Sequence, residues 1–514
     1  IGYRRWGHNE ADEPTFTQPL LYQRIQHHPT VRALFAERLA RAGEVTPSEA
    51  QHMVEEATAR YQAAFSTTTA SSGEATSVAE VSKPSGEINT AVPAERLLRL
   101  NEQLHTLPSG FCLNPKLSRW IERRRGALSG NSAIDWGHAE ALAFATLLAD
   151  GTPIRLTGQD SARGTFSQRH LVLHDVQTGA TFTPLQALPD AHASFEVHDS
   201  PLAEAAVLGF EYGYSTQARD ALVLWEAQFA DFANAAQVLI DQFIAAGEAK
   251  WGQTSGLVLL LPHGLEGQGP EHSSARIERF LQLAAENNLR IANCTTAGQY
   301  FHLLRRQAVL LREEARPLVI FTPKGLLRHP LAASTLQDLT DGEFQPVIDD
   351  LDARGRADQI DRLILCSGRV YVDLASSPER AADQGTAIVR IEQLYPFPGE
   401  QLVEIKDAYP HLREVSWVQE EPQNMGAWSF VAPRLRALFE PRIPVSYIGR
   451  AERASPAVGA HDLYQAEQQQ LIRTAFRSHD ERAAGRRGGR RRPALRTSQP
   501  SESSPPVAEV THAS

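Results

Sequence analysis

The chain has 514 residues, of which 42% are hydrophobic, as is typical of a water-soluble globular protein with two or three domains. A net charge of −10 argues against general nucleic-acid binding, and no apolar run approaches the roughly 18 residues that a membrane span needs. The three cysteines lie far apart without metal-ligand spacing, which favours a reducing compartment. Because the chain begins at Ile1 within a motif-like stretch, we expect a fragment whose targeting signal is not visible.

The N-terminal region is predicted to be a loop followed by two helices. Charge, glycine and proline are mixed over residues 1–22 without periodicity, which predicts the loop. Thr30 is placed to cap a helix over Val31–Ala42. Thr46 opens a capping box with proline at the first helical position, which predicts a second helix to about Phe65.

A polar region and a basic segment separate these helices from the rest of the chain. Residues 66–92 are polar without an apolar period and are interpreted as a linker or surface loop. A short helix is predicted over Pro93–Leu107, before the basic segment Pro115–Arg125. The three consecutive arginines at 123–125 are interpreted as a solvated helix end.

From Asp135 onward, short apolar runs alternate with helical patterns. The apolar runs predict strands at Ile154–Thr157, Phe195–Val197, Ala221–Trp225, Leu257–Leu261, Arg290–Ala292 and Leu318–Thr322. The segments between them predict helices over residues 135–149, 202–212, 232–246, 275–287 and 297–312. This alternation predicts an α/β fold with a doubly wound, mostly parallel sheet.

A second series of strands and helices begins near Arg362 and predicts a separate, smaller α/β domain. Its strands are predicted at Leu363–Cys366, Ala387–Ile391, Glu414–Val418 and Val445–Ile448. Residues after Arg477 mix arginine with glycine, alanine, serine and proline, which predicts a disordered basic tail.

The loop Gly264–Arg276 joins a predicted strand to a predicted helix, and parallel α/β folds bind ligands at that edge. Its glycines let the backbone approach a ligand closely, and a helix N-terminus favours anionic groups. His272 in this loop is placed to move a proton or to donate a hydrogen bond. On spacing alone, however, a histidine in such a loop is more often structural than catalytic.

Specific short motifs occur along the chain in a fixed order. The stretches that carry them are Tyr3–Glu10, Gly158–Asp160, Arg163–Phe166, Phe210–Tyr214, Trp225–Asn234, Gly267–Arg276, Pro323–Lys324, Leu327–Pro330 and Ile391–Pro398. Together they resemble the C-terminal half of the thiamine diphosphate-dependent first component of 2-oxoglutarate dehydrogenase. This resemblance implies a transketolase-like pyrimidine-binding domain followed by a transketolase C-terminal-like domain.

The resemblance also implies where the domains lie. The expected boundaries are residues 1–65 for the end of the diphosphate-binding domain and a helical connector, 66–92 for the linker, 93–330 for the pyrimidine-binding domain, 331–476 for the C-terminal domain and 477–514 for the basic tail.

Five residues are implied to form the site. Glu204 matches the carboxylate that contacts the aminopyrimidine ring of thiamine diphosphate and promotes deprotonation of the thiazolium carbon. Phe232 matches the position that stacks on the pyrimidine ring, with Phe229 as a second candidate. His272 matches the active-site histidine that faces the substrate, and His8 is expected near the cofactor. Without the resemblance, Glu204 would be an ordinary first-turn glutamate and the phenylalanines core residues.

Other positions are implied to support the site or to modify it. Gln159, Asp160 and Arg163 are expected around the site or at an interface. Gln168 stands where relatives usually carry a histidine, while His170 keeps the second histidine of that pair, so acid specificity or regulation could differ.

Motifs for the diphosphate and Mg²⁺ are absent from the sequence. The family binds both with a Gly-Asp-Gly or Gly-Asp-Ala segment followed by an asparagine about 30 residues later, and no such pair occurs here. We therefore expect no metal ligands among these residues. The Mg²⁺ ligands are expected in a missing N-terminal part or in a two-fold-related subunit.

The implied reaction is oxidative decarboxylation of 2-oxoglutarate with succinyl transfer to lipoamide, in the tricarboxylic acid cycle. The implied partners are a second copy of the chain, the lipoyl domain of dihydrolipoyl succinyltransferase and dihydrolipoyl dehydrogenase, without nucleic acid or membrane. The expected location is the cytoplasm of a bacterium, or the mitochondrial matrix of a eukaryote. The alternatives are the same chemistry on 2-oxoadipate, non-oxidative decarboxylation or carboligation, and a non-catalytic scaffold without its own cofactor site.

Overall fold

The computed structural model describes residues 9, 11–71, 88–129 and 133–477. Contacts divide the chain into two units, residues 1–85 and residues 86–514, and each is described by itself. His8, most of the predicted linker and nearly all of the predicted basic tail lie outside the described residues. None of the described helices is long and apolar enough to cross a membrane.

The first unit is helical. It contains a short 3-10 helix at Pro14–Phe16, α1 (Pro19–His27), α2 (Val31–Ala42) and α3 (Pro47–Ser71). The predicted Thr30 cap is confirmed, since its side chain accepts from Ala33 N at 3.2 Å. The capping box at Thr46 is confirmed as well, because Thr46 N donates to Glu49 Oε2 at 2.8 Å.

Two predictions for this unit need correction. The loop predicted over residues 1–22 is in part wrong, because α1 begins at Pro19, whose fixed φ suits a first helical position. Helix α3 extends beyond Phe65, since the polar side chains that suggested a linker bond back to the helix. Ser66 Oγ donates to Gln62 O at 2.9 Å, and such back-bonding lets serine continue a helix.

The second unit contains two α/β sheets and a small antiparallel sheet of two short strands. Its helices are α4 (Ala94–Leu104), α5 (Pro115–Ala127), α6 (Trp136–Ala149), α7 (Glu204–Gln217), α8 (Gln237–Leu239), α9 (Gly247–Trp251), α10 (Ile277–Leu283), α11 (Ala297–Leu310), α12 (Leu336–Thr340), α13 (Leu351–Arg354), α14 (Arg369–Ala375), α15 (Pro378–Ala382), α16 (Gly399–Ala408), α17 (Trp428–Phe439) and α18 (His461–Ala475). Its strands are β1 (Ile154–Gly158), β2 (Leu173–His174), β3 (Thr181–Phe182), β4 (Phe195–Asp199), β5 (Leu222–Glu226), β6 (Val258–Pro262), β7 (Arg290–Ala292), β8 (Leu318–Thr322), β9 (Val347–Ile348), β10 (Arg362–Cys366), β11 (Thr386–Ile391), β12 (Gln393–Tyr395), β13 (Glu414–Pro422) and β14 (Val445–Arg450).

The larger sheet has seven strands in the order β12-β7-β8-β6-β5-β1-β4. Six of them run parallel, and β12 pairs antiparallel with β7 at one edge. Every residue of β5, β6 and β8 is buried, as expected for parallel strands covered on both faces. The predicted α/β fold with a mostly parallel sheet is therefore confirmed.

The smaller sheet has five strands in the order β14-β13-β10-β11-β9. Four of them are parallel and lie where the second series of strands was predicted, while the two-residue β9 pairs antiparallel with β11. The sequence did not indicate β9 or β12, since two or three residues carry no detectable period. Because β12 follows β11 directly yet pairs with β7, the second series also contributes to the larger sheet.

Two predicted helices differ from the structure. The helix predicted over 232–246 is a 3-10 helix at Ala230–Ala236, the short α8 and a π-helix at Ile240–Ile244, in which Ala245 N donates to Ile240 O at 2.9 Å. The helix predicted over 275–287 is only Ile277–Leu283, because Arg276 before it has φ of 57° and Ala284 after it has an extended backbone, and an α-helix accommodates neither.

The solvated helix end predicted at the three arginines is wrong for the middle one. The side chains of Arg123 and Arg125 are 63% and 41% exposed, but that of Arg124 is 4% exposed. Its guanidinium lies 3.8 Å from the centre of the Trp120 ring and bonds to Asp135 at 2.6 Å. Arg124 therefore joins the end of α5 to the start of α6.

Candidate active site

The predicted site residues lie in loops that leave one edge of the larger sheet. In a parallel sheet, the carboxyl ends of all strands meet at the same edge, where ligands bind. The parallel registers place Gly158, at the end of β1, beside Asp199 of β4 and Glu226 of β5. Strand β6 lies next to β5 and β8 next to β6, so the loops after these five strands share this edge.

Glu204 is the first residue of α7, which follows β4. Ala203 before it offers no side-chain cap, so the carboxylate is the acidic group of the first turn, where the helix dipole favours negative charge. It is half-buried, and its Oε1 accepts from Gln159 Nε2 at 3.2 Å. The loop after β1 thus holds the carboxylate that begins α7.

Three rings from the loops after β5 and β6 form an aromatic cluster, which we define as Phe229, Phe232 and His272. The His272 ring lies 4.5 Å from that of Phe229 and 6.0 Å from that of Phe232, edge to face in both cases. Phe166 packs on Phe229 from behind at 5.5 Å. All three rings of the cluster are half-buried, so part of each remains accessible at the sheet edge.

Polar contacts connect Glu204 with the aromatic cluster, although no described contact joins them directly. Gln228 Nε2 donates to Asp160 Oδ2 at 2.8 Å, which links the loop after β1 to the loop after β5. Arg163 pairs with Asp160 at 3.2 Å and is 53% exposed. The structure therefore brings Phe229, Phe232 and His272 together and places Glu204 in a neighbouring loop.

A buried charge network lies beneath this edge. Arg169 bonds to Glu140 at 2.5 Å and to Glu226, the last residue of β5, at 2.6 Å, and the Tyr300 hydroxyl donates to Glu140 at 2.7 Å. Burial alone would lower the pKa of Arg169, but the two carboxylates reverse this effect and raise it. Arg169 remains charged and ties α6 to the end of β5.

Among the described residues, one cluster has the composition of a metal site: His263 with Glu420 and Glu421. Ala275 N donates to His263 Nδ1 at 3.0 Å, so the proton of the neutral ring lies on Nε2, which donates to Glu421 at 2.7 Å. No lone pair of the ring is left for a metal ion. The cluster is therefore an interaction between the loop after β6 and strand β13.

Gln168 and His170 both contact other residues of this region rather than any residue of the aromatic cluster that the structure records. Gln168 is 7% exposed, and its Oε1 accepts from Phe166 N at 3.1 Å. His170 packs edge-on against Trp120 at 5.0 Å, and burial lowers its pKa. In this structure both side chains order the loop after β1.

Some residues of this region were not singled out from the sequence. Asp231 and Lys324 lie within motifs quoted for the resemblance, yet no role was attached to them. Glu266, after β6, bonds to Arg369 of α14 at 2.6 Å, a pair that is 103 positions apart. The adjacent Glu420 and Glu421, near the end of the buried strand β13, could have indicated such distant partners from the sequence. Buried carboxylates need a cation or a hydrogen-bond donor beside them.

Comparison with known proteins gives a consistent result along the chain. Sequence profiles match the dehydrogenase E1 component over residues 1–76, the transketolase pyrimidine-binding domain over residues 132–330 and the 2-oxoglutarate dehydrogenase C-terminal region over residues 333–476. The 2-oxoglutarate dehydrogenase E1 component of Geobacillus kaustophilus (strain HTA426) is 54% identical over 486 residues, which cover 93% of this chain and 51% of that protein. The corresponding protein of Bacillus subtilis (strain 168) is 51% identical over 479 residues, which cover 92% of this chain and 51% of that protein.

The chain thus spans about half the length of the curated relatives that it matches. Identity above 50% over nearly all of its residues, together with three profiles in family order, agrees with the predicted resemblance. Nearly all of the chain is therefore similar to the 2-oxoglutarate dehydrogenase E1 components, over about half of their length.

Proposed function

We propose that the chain provides the pyrimidine-binding side of a thiamine diphosphate site for oxidative decarboxylation of 2-oxoglutarate, with succinyl transfer to lipoamide. The observation that carries this proposal is the shared sheet edge, where a carboxylate, two phenylalanines and a histidine lie in adjacent loops. The relatives carry the name of this dehydrogenase component, which supports the same reaction here.

The residues present fit the cofactor. Within the part of the chain that the structure describes, Glu204 bonds to Gln159 through Oε1 alone, which leaves Oε2 for contact with a pyrimidine ring nitrogen. Phe232 and Phe229 offer partly accessible apolar rings for the pyrimidine. When bound, thiamine diphosphate supplies the carbon nucleophile that adds to the 2-oxo group.

The chain's own residues have distinct roles in this proposal. Glu204 favours the cofactor tautomer that accepts a proton, and His272 faces the substrate and handles protons during acyl transfer. His8 lies near the cofactor in this proposal. The ligands of Mg²⁺ and the diphosphate belong to residues outside this sequence, in the same or a second subunit.

The proposed assembly is a homodimer that works with a lipoyl-bearing succinyltransferase and dihydrolipoyl dehydrogenase. Its proposed location is the bacterial cytoplasm, since the similar proteins named above are bacterial. The domain boundaries expected from the sequence remain part of this proposal, except that α3 continues into the first residues of the expected linker.

The test is 2-oxoglutarate-dependent reduction of an artificial electron acceptor, with thiamine diphosphate and Mg²⁺. It is run on the chain alone and on the chain joined to the N-terminal half of the Bacillus subtilis relative. We expect turnover in the joined protein, and a loss of about 100-fold or more in Glu204→Gln with unchanged thermal unfolding. Near-normal turnover of that variant would reject the proposed role of Glu204 in activating the cofactor. Absence of both turnover and thiamine diphosphate binding in the joined protein would favour the scaffold alternative.

A further inference from the structure

Charged side chains hold both ends of the peptide group that joins His272 to Ser273. Its carbonyl oxygen accepts from Lys324 Nζ at 2.5 Å. Its N–H donates to Asp231 Oδ1 at 3.2 Å, and the N–H of Ser274 donates to the same oxygen at 3.0 Å. A cation at the carbonyl end and a carboxylate at the N–H end match the peptide dipole and fix the plane of this peptide.

The imidazole of His272 depends on this backbone for its direction. The hydrogen bonds that described residues make to His272 all go to its backbone, and the aromatic rings that pack against its imidazole are those of Phe229 and Phe232. Edge-to-face ring contacts set a separation but tolerate rotation. The clamped peptide therefore fixes the backbone from which the His272 side chain extends, and the two phenylalanine rings limit where its ring can lie.

Both charged groups are held at a cost in free energy. Lys324 is 5% exposed, and burial lowers its pKa, while Glu266, Glu420 and Asp231 oppose that effect. Oxygen Oδ2 of Asp231 is buried without a hydrogen-bond partner among the described residues. Such incomplete satisfaction is unfavourable for stability, which is consistent with a role in holding geometry.

We propose that Asp231 and Lys324 are positioning residues that hold His272 toward the substrate. The proposal rests on the function proposed above, and in it neither side chain touches the reacting atoms. Each acts through the His272–Ser273 peptide, so removal of either side chain should lower turnover only while His272 is present.

The variants are Asp231→Ala and Lys324→Met, which remove one end of the clamp each. We expect kcat to fall by about 10- to 100-fold while KM changes by less than about threefold, because misplacement of a catalytic group slows the chemical step. Asp231→Asn keeps a hydrogen-bond acceptor at this position, so its kcat should fall less than that of Asp231→Ala. Asp175→Ala and Lys406→Met are the matched controls, since Asp175 accepts from the N–H groups of Gln177 and Thr178 and Lys406 donates to Leu438 O, away from the clamp.

A double-variant comparison separates positioning from stability. In a His272→Ala background, Asp231→Ala should cause no further loss of residual turnover, because the group that it positions is gone. A merely structural role predicts that the losses multiply, and multiplied losses would overturn the proposal.

A second readout does not depend on turnover, so failure of the proposed function can be told apart from failure of the clamp. Hydrogen exchange at the Ser273 and Ser274 amides should rise by about tenfold or more in Asp231→Ala. The ring resonance of ¹³C-labelled His272, assigned by its absence in His272→Ala, should move in both clamp variants because the ring shifts against Phe229. Unchanged exchange and resonance in folded variants would refute the clamp even if the enzyme turns over.

Discussion

At the scale of single residues, Arg169 gives the sharpest stability prediction. Its side chain is 2% exposed and lies between Glu140 and Glu226, whose side chains are 3% and 5% exposed. Arg169→Met would leave two buried carboxylates without a cation, which costs about 3–5 kcal/mol of unfolding free energy. Denaturant unfolding at neutral pH measures this loss, and an unaffected midpoint would contradict it.

The control for this prediction is Arg163→Met. Arg163 also pairs with a carboxylate, Asp160, but it is 53% exposed. Exposed pairs contribute within about 1 kcal/mol, so this variant should unfold nearly as the parent does. The comparison isolates the effect of burial on the same type of ion pair.

The adjacent glutamates of β13 predict opposite dependences of stability on pH. Burial, followed by repulsion from Glu421, raises the pKa of Glu420 to about 7. A pKa that is higher in the folded than in the unfolded state gives stability at low pH that is lost as pH rises toward that value. Glu420→Gln should therefore gain stability relative to the parent between about pH 4.5 and 7.5.

Glu421→Gln is the matched variant, and its stability is expected to depend on pH in the opposite direction to that of Glu420→Gln. Burial would raise the pKa of Glu421, but the hydrogen bond from His263 and the further favourable electrostatic interactions together outweigh burial and lower it. A lowered pKa gives stability above the unfolded value that is lost as pH falls. This variant should be less stable than the parent at neutral pH, with the difference closing in acid, and unfolding curves across pH test both signs.

The residue scale also shows where prediction from sequence stops. Glu204 and His272 could be chosen because they match motifs, and their neighbours in the chain came with them. The partners of the loop after β6 could not be chosen in that way, since His263 and Glu421 are 158 positions apart. Periodicity reports which face of an element is apolar, but not which distant polar group meets it.

At the scale of elements, two helical glycines predict opposite effects of the same substitution. A Cβ on Gly137 of α6 would overlap the carbonyl oxygen of Gln168, so Gly137→Ala should destabilise the protein by about 1–3 kcal/mol. A Cβ on Gly126 of α5 meets nothing within 4 Å, so Gly126→Ala should stabilise it by about 0.5–1 kcal/mol. The thermal unfolding midpoints of the two variants test both expectations. Equal shifts of the midpoint in the two variants would contradict the packing of α6 on the loop that contains Gln168.

Elements were predictable where they are long and periodic. The parallel strands β5, β6 and β8 are continuous apolar runs and lie within one residue of their predicted ends. The helix predicted over 232–246 has the expected apolar spacing, since Ala236, Ile240 and Ile244 are all buried. Its backbone nevertheless takes 3-10 and π turns, which bury the same residues with different hydrogen bonds.

At the scale of the whole molecule, an exposed apolar surface lies beside Glu204. We define it as Leu202, Phe210, Val238, Phe243 and Trp251, which are 38–66% exposed. They belong to α7 and to the segment between β5 and β6, so they flank the loops that carry Glu204, Phe229 and Phe232. Several exposed apolar side chains on neighbouring elements are typical of a protein–protein interface, which supports the proposed homodimer.

Phe210→Asp tests the homodimer, since a charge buried in an apolar interface is costly. Phe210 is 57% exposed in the single chain, so the fold should tolerate the change while the dimer dissociates at micromolar concentration. Leu351→Asp, at an 82% exposed position of α13, is the control and should remain dimeric. Sedimentation velocity gives both masses. If Phe210→Asp keeps the mass of the parent dimer, this surface is not the contact, whereas parallel loss of mass and thiamine diphosphate binding would show that Glu204 needs the second copy.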